Sequence, residues 1–488
     1  MAVPLGNVIP MNSQPTNFVD IIAEFTEEEP EPEPQRRVST WIDNFPSQAP
    51  SQGAVPSAFK ERQEGKDPKH RPILCGRPAS KTSVIPITLY HPVFGTFLDD
   101  CRTATPGPLF FDLYRELAVA MADFYLTEGK RLTVARGIFE KYGFSITTST
   151  VGENGSFDTD GDIRMSNGKY TVRLLFVEGK NELGADGADA YLQATLYYVE
   201  GVRDAKLWDC RLPAMLVMLV GSTLGFGGGV FGADGAMTQI LTPSLSLHSH
   251  PTDNDAVLTG ARMLCALRRA TNSLKSLYDS LSPENPDTTL GFPYPTDFIP
   301  TGATNERVSF TYKSRLGNHL LFRVEVDNIG PALVKFFAGM GTDAVQAQSW
   351  AAEHGVAPLV YGHKLLPGGW VMVVMEDLSN SYRPFVLRLD SHYHPAIVEF
   401  LSQLHSANLV HGDLRDVNIL VSISKDSSSF KIVDWDWAAA INVARYPATM
   451  NGPTSLTPLW RPSEVHPMGL IRPQHDSAMI ENVFNLKL

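Results

Sequence analysis

The stretch that most narrows what this chain can fold into is HPAIVEFLSQLHSANLVHGDLRDVNILVSISKDSSSFKIVDWDWA, residues 394–438. Its first part puts Ile397, Leu401 and Leu404 on one helical face. That helix runs straight into LVHGDLRDVNIL, where His411, Asp413 and Asn418 are set among apolar residues. An apolar strand, FKIV, follows and delivers Asp434 and Asp436. Polar groups among apolar neighbours are either hydrogen-bonded within a buried turn or held for chemistry. Which applies depends on what else the chain places at workable distances.

Phosphoryl transfer requires a cation on the phosphates, carboxylate and amide ligands for Mg²⁺, and a carboxylate that takes the acceptor hydroxyl's proton. Each has a candidate. Lys335 alternates with apolar residues in ALVKFF, a strand position that would otherwise be half buried. WVMVVMEDL is an apolar strand ending in Glu376 and Asp377, the beginning of a link between two lobes and a nucleotide-binding position for Glu376. Asp413 is the candidate base, Asn418 a metal ligand, and Asp434 and Asp436 a second source of metal ligands. ATP and Mg²⁺ are the cofactors this set implies.

Residues from about 305 onward resemble the protein-kinase-like fold, and more closely the fungal protein-kinase-like family abundant in basidiomycetes. HGDLRDVNIL is similar to the kinase catalytic loop, and IVDWDWA to the Asp-Phe-Gly segment, which in the fungal family reads Asp-Phe-Asp. TPLWRPSE matches the segment closing in Ala-Pro-Glu, with Glu464 in the Glu position. Twelve residues on, Asp476 matches the aspartate that braces the catalytic loop. The resemblance implies structural bracing by His411, Glu464 and Asp476. It also implies that Arg415, which stands where serine/threonine kinases carry a lysine, touches the transferred phosphate and that the acceptor is a protein.

The departures bear on function. Gly412 stands where many kinases have an arginine, Trp435 and Asp436 replace Phe and Gly, and no Gly-rich loop precedes Lys335. The acidic partner of Lys335 is open between Asp343 and Glu353. Few residues follow Asp476, so an abbreviated helical lobe is expected. Two alternatives stay open beside the protein kinase: a small-molecule phosphotransferase of the aminoglycoside or choline kinase kind, and a pseudokinase that binds without turnover.

The remaining chain has its own character. Residues 1–84 read as a disordered tail, because 12 of the 35 prolines and the run EEEPEPEP fall within its first 80 residues. SPENPDTTLGFPYPTDFIP, with five prolines, places a linker at 283–300. Between them, 85–282 reads as an α/β domain, and 301–488 as the two-lobed, kinase-like domain with a small β-rich N-lobe. The overall class is therefore α+β. Residues 212–233 carry no charge, but their glycines and Pro213 predict two buried strands and a turn rather than a membrane span. Scattered cysteines imply an intracellular protein, and the net charge of −12 argues against nucleic-acid binding by the whole surface.

GDIRMSNGKYTVRLLFVEGKNELGADGADAYLQATLYY resembles the PD-(D/E)XK nuclease core. That resemblance implies Mg²⁺ at Asp162 and Glu178, a water-positioning Lys180, and Gln193 on the next helix. Any nucleic-acid contact would run through 85–282. The motif is short, and the expectation is a fold or interaction unit rather than a working nuclease.

Overall fold

The computed structural model describes residues 41–46, 48–65, 72–152, 156–166, 169–184, 187–207, 210–281, 287, 289–303, 306–339, 341–424, 428–451 and 459–484. Among these, the chain divides between Pro295 and Thr296 into two compact units, and helices and strands mix in an α+β arrangement. No helix among the described residues is long and apolar enough to cross a membrane.

The first unit is a mixed sheet covered by helices. Its strands are β1 (Gly161–Ser166), β2 (Thr171–Lys180), β3 (Ala214–Val220), β4 (Thr223–Gly232) and β5 (Gly235–Ile240), in the order β1-β2-β3-β4-β5. Only the β2–β3 pairing along this path is parallel. A parallel pair needs a crossover, and α1 (Ala190–Ala205) supplies it, buried along most of its length. The uncharged 212–233 segment forms β3 and β4, as its glycines and turn predict. Its glycine run has a packing cause: a Cβ on Gly228 would lie 2.4 Å from the Phe94 ring, and one on Gly229 would lie 2.9 Å from Tyr198. α2 (Asn254–Asp279) packs its apolar face, including Leu264, Leu267 and Leu274, into the unit.

Two boundaries expected from proline density are corrected. Within 1–84, the described residues from 41 onward are packed: Trp41, Phe45, Phe59 and Ile73 are buried, and Trp41 meets Phe231 edge to face. Pro50 and Pro56 open helices, a position where the missing N–H costs nothing and the fixed φ suits the first turn. Proline there marks helix starts rather than disorder. Residues 1–40 lie outside the described residues. The 283–300 linker also dissolves: Leu290 is buried against the first unit, Asp287 pairs with Arg211, and Asp297–Pro300 is a strand of the second unit.

The second unit starts with a closed six-stranded barrel. In chain order its strands are β6 (Asp297–Pro300), β7 (Val308–Arg315), β8 (Leu321–Val326), β9 (Gly330–Ala338), β10 (Val360–Leu366) and β11 (Trp370–Glu376). VSFTYK, LLFRVEV, ALVKFF and GGWVMVVM read as strands from sequence and match β7, β8, β9 and β11; β6 and β10, which close the barrel, do not read so. Helix α3 (Asp343–Glu353) separates β9 from β10, in the stretch TDAVQAQSWAAEHG that reads as a helix from sequence. The mainly helical part follows: α4 (His394–Ser406), a small sheet containing β12 (Ile419–Ser422) and β13 (Phe430–Ile432), and α5 (Pro473–Val483). Ile397, Phe400, Leu404, Ile419, Ile432, Trp435 and Met479 form its core.

Candidate active site

Strand alternation sets the first element. Along β9, Ala332, Val334 and Phe336 are buried in the barrel, and Lys335 lies on the opposite face beside Leu333. That face lines a cleft, partly open to solvent, with Leu321, Met375, Glu376, Asp377, Leu420, Val433 and Asp434 on its walls. Glu376, at the end of β11, accepts a hydrogen bond from the Leu359 N–H at 3.2 Å.

Lys335 forms an ion pair with Asp434 and lies 2.7 Å from Asp436. Neither Asp343 nor Glu353, the two partners left open by the sequence, takes this place; from α3 it is Gln348, a neutral side chain, that lines the cleft. Burial disfavours the ammonium, but the Asp434 and Asp436 charges outweigh burial and raise the Lys335 pKa. Burial likewise opposes ionisation of Asp434, and Lys335 overcomes it, holding that carboxyl below its usual range. Asp436 falls on the other side of the balance: burial and the neighbouring Asp434 push it up to about 7 despite Lys335.

The 411–418 loop is anchored from below by α5. Asp476 is fully buried and accepts the His411 N–H at 2.9 Å and the Gly412 N–H at 2.7 Å. His411 Nδ1 accepts the Asp413 N–H at 3.1 Å, so its proton sits on Nε2, which reaches the Val433 carbonyl at 3.2 Å. Burial lowers the His411 pKa, in keeping with that neutral tautomer. Gly412 has φ +87°, and a Cβ there would lie 2.6 Å from Ile471, so the position suits glycine alone.

Asp413, at 3% exposure, is surrounded by donors. Oδ2 accepts from Arg415 Nη2 at 2.9 Å and from Asn418 Nδ2 at 3.2 Å. Oδ1 lies 2.5 Å from Arg461 Nη2, close in charge but outside hydrogen-bond alignment. Asn418 also donates to the Asp413 carbonyl at 2.8 Å, and its own carbonyl accepts the Val433 N–H next to Asp434.

Lys335, Asp413, Arg415, Asn418, Asp434, Asp436, His411 and Asp476 are thus gathered in and beneath one cleft, with Glu376 at its edge. Glu464 is not: its side chain is 58% exposed, approaching His475 at 3.8 Å and accepting from Ser463 Oγ at 3.4 Å. The buried link from that segment is Arg461 instead, which no motif singled out. The sequence signal it offers is the Arg-Pro pair, since a residue before proline is steered to extended backbone.

The donor set suits a hard divalent ion. Asp434 and Asp436 carry largely enclosed carboxylates already paired with the Lys335 ammonium, and buried Asn418 adds an amide. Among the described residues no group of three or more His, Cys, Asp or Glu converges as metal ligands, which leaves two carboxylates and an amide as the available set.

In the first unit the nuclease-like residues separate. Glu178 is fully buried and bonded to Lys180 at 2.8 Å; Lys180 is also 3.5 Å from Glu128. The second acid of this cluster is Asp160, which accepts the Gly179 N–H at 2.8 Å and raises the Glu178 pKa further above what burial does. Gln193 joins through Tyr197 on α1. Asp162 is corrected out of the cluster: it faces Ser149, Thr159 and Arg173.

Glu178 and Asp160 both have folded pKa values above their ordinary ones, mainly through burial. Such groups stabilise below the unfolded pKa and lose that contribution as pH rises through the folded value. Glu178→Gln removes the loss. Its melting temperature relative to wild type is therefore expected to climb by about 3 °C or more between pH 5 and pH 8. A difference that stays flat or shrinks in calorimetry of the full chain contradicts this.

No family model matches the sequence, and no curated protein is similar to it. Among solved structures, the chain is similar to vaccinia related kinase 3, with 13% identity and a TM-score of 0.29 over 44% of this chain and 71% of that one. It is also similar to the Cydia pomonella granulovirus kinase PK-1, with 10% identity and a TM-score of 0.28 over 36% of this chain and 69% of that one.

Proposed function

We propose that the second unit is an ATP- and Mg²⁺-dependent phosphotransferase of protein-kinase-like fold, acting on Ser or Thr hydroxyls of proteins. What carries the reading is one cleft in which a buried lysine faces two carboxylates while a third carboxylate, Asp413, is held beside an arginine and an amide.

Asp413 orients the acceptor hydroxyl in line and takes its proton. Asp434, Asp436 and Asn418 would hold Mg²⁺, which would supply positive charge against the phosphates. Lys335 moves onto phosphate oxygens, and Arg415 follows the transferring group. Leu321, Leu333, Met375 and Leu420 give the nucleotide base an apolar seat, with Glu376 at its rim. Incubating the full chain with radiolabelled ATP, Mg²⁺ and a generic protein substrate tests this; labelled protein is expected. Label on a small alcohol or amino sugar but not on protein points to the small-molecule reading. ATP binding without label points to the pseudokinase.

Activity is expected to be independent of phosphorylation between 437 and 463. Gly412 provides no guanidinium for a loop phosphate, and Arg445 is engaged by the Met468 carbonyl at 3.0 Å. Thr454, Ser455 and Thr457 lie outside the described residues. Phosphatase treatment should leave the rate within about twofold; a tenfold fall refutes the expectation.

For the first unit we propose a fold or interaction role. Its candidate metal-binding acid Glu178 is already matched by Lys180, and Asp162 lies elsewhere.

A further inference from the structure

Arg461 contacts the proposed base without belonging to its loop. Its side chain is 1% exposed. Nη2 lies 2.5 Å from Asp413 Oδ1. Nη1 reaches the Gly412 carbonyl at 3.3 Å and the Met479 sulfur at 3.2 Å, and the guanidinium lies 5.2 Å from the centre of the Trp437 ring. Pro462 follows it and restricts its backbone. Arg415 is held differently, by a bond to Oδ2 at 2.9 Å from a side chain that stays 11% exposed.

We propose that Arg461 is a positioning residue that fixes the Asp413 carboxylate, leaving Arg415 as the guanidinium that shifts when acceptor and phosphoryl group enter. Two cations around one buried carboxylate are not equivalent here. Arg461 is tied to the loop backbone, to α5 and to an indole, so moving it strips several contacts at once. Moving Arg415 breaks one hydrogen bond. A cation at position 412 cannot substitute, because φ +87° and Ile471 exclude a side chain there. The planar fork of arginine spans the carboxylate and the Gly412 carbonyl together, which a lysine ammonium does less well. Helix α5 thereby holds the loop twice: Asp476 grips the backbone, and Met479 seats the arginine that grips the side chain.

The catalytic half of this inference rests on the phosphotransferase reading; the contact itself rests on geometry. Two measurements on the full chain test it. The first is a double-mutant cycle of Arg461→Met and Asp413→Asn in thermal unfolding. Residues in direct contact couple, so Arg461→Met is expected to lower the melting temperature much less in the Asp413→Asn background than in wild type. Additive losses overturn the proposal. The second is steady-state kinetics. Arg461→Met should lower kcat about tenfold or more with KM for ATP within about twofold, and Arg461→Lys should recover part of the loss. A loss carried by KM for ATP, or a Lys variant no better than Met, also overturns it. If Arg461→Met does not fold, the Lys variant completes both measurements. A folded wild type that binds ATP and transfers nothing sinks the phosphotransferase reading, and the cycle then decides the positioning claim alone.

Discussion

Asp413→Asn is expected to reduce phosphoryl transfer by about a hundredfold or more while the protein stays folded. The substitution keeps shape and one acceptor oxygen, so Arg415 and Arg461 still find a partner in part. It removes the negative charge that, in the proposed mechanism, orients the hydroxyl and takes its proton. ATP binding should be retained, because the cleft that seats the nucleotide is lined by other residues. Melting temperature and ATP-induced stabilisation serve as controls. Equal labelling by mutant and wild type rules out Asp413 as the base.

Lys335→Met is expected to have the largest effect on stability. In many settings a lysine on a strand face costs little to remove. Here it balances Asp434 and Asp436, whose side chains are only 6% and 13% exposed. Removing one partner of a buried ion pair leaves uncompensated charge, a loss of about 3–5 kcal/mol. For a unit of this size that corresponds to a fall in melting temperature on the order of 10 °C. Millimolar Mg²⁺ should restore part of the loss, since the bared carboxylates gain another cation, and should stabilise wild type less. A fall below about 2 °C, or a mutant indifferent to Mg²⁺, contradicts the pairing and the metal role together. Lys335→Arg, which keeps the charge, separates lost packing from lost charge.

Much of the second unit was legible because its signals are local. Alternation marks β9 and puts Lys335 opposite the inward Val334 and Phe336; helical spacing marks α4; an apolar run ending in two acids marks the strand before Asp434. The order of His411, Asp413, Asn418, Asp434 and Asp476 carried their convergence, and the structure does bring them together. Proline density misled, because Pro50 and Pro56 at helix starts read the same as prolines in a tail. β6 escaped notice because four residues are too few for alternation to declare itself, and β10 because Gly362, His363 and Lys364 interrupt its apolar pattern.

Sequence by itself determined which residues carry ionisable and amide side chains and which face of each element is apolar, since both follow from side-chain identity and from periods of 2 and 3.6. Tertiary structure decided which charges meet. Closure of the barrel onto the cleft paired Lys335 with Asp434 and Asp436 rather than with α3. Register across β1 and β2 set Gly161 opposite Val177 and Asp162 opposite Phe176, which left Asp160, not Asp162, beside Gly179 and Glu178. The packing of α5 made Arg461, set against Asp413, and not Glu464 the buried link from that segment. Two acids two residues apart, or two carboxylates on different elements, look alike in a linear chain. Their energies diverge only when burial removes water and makes each depend on the single neighbour the fold supplies.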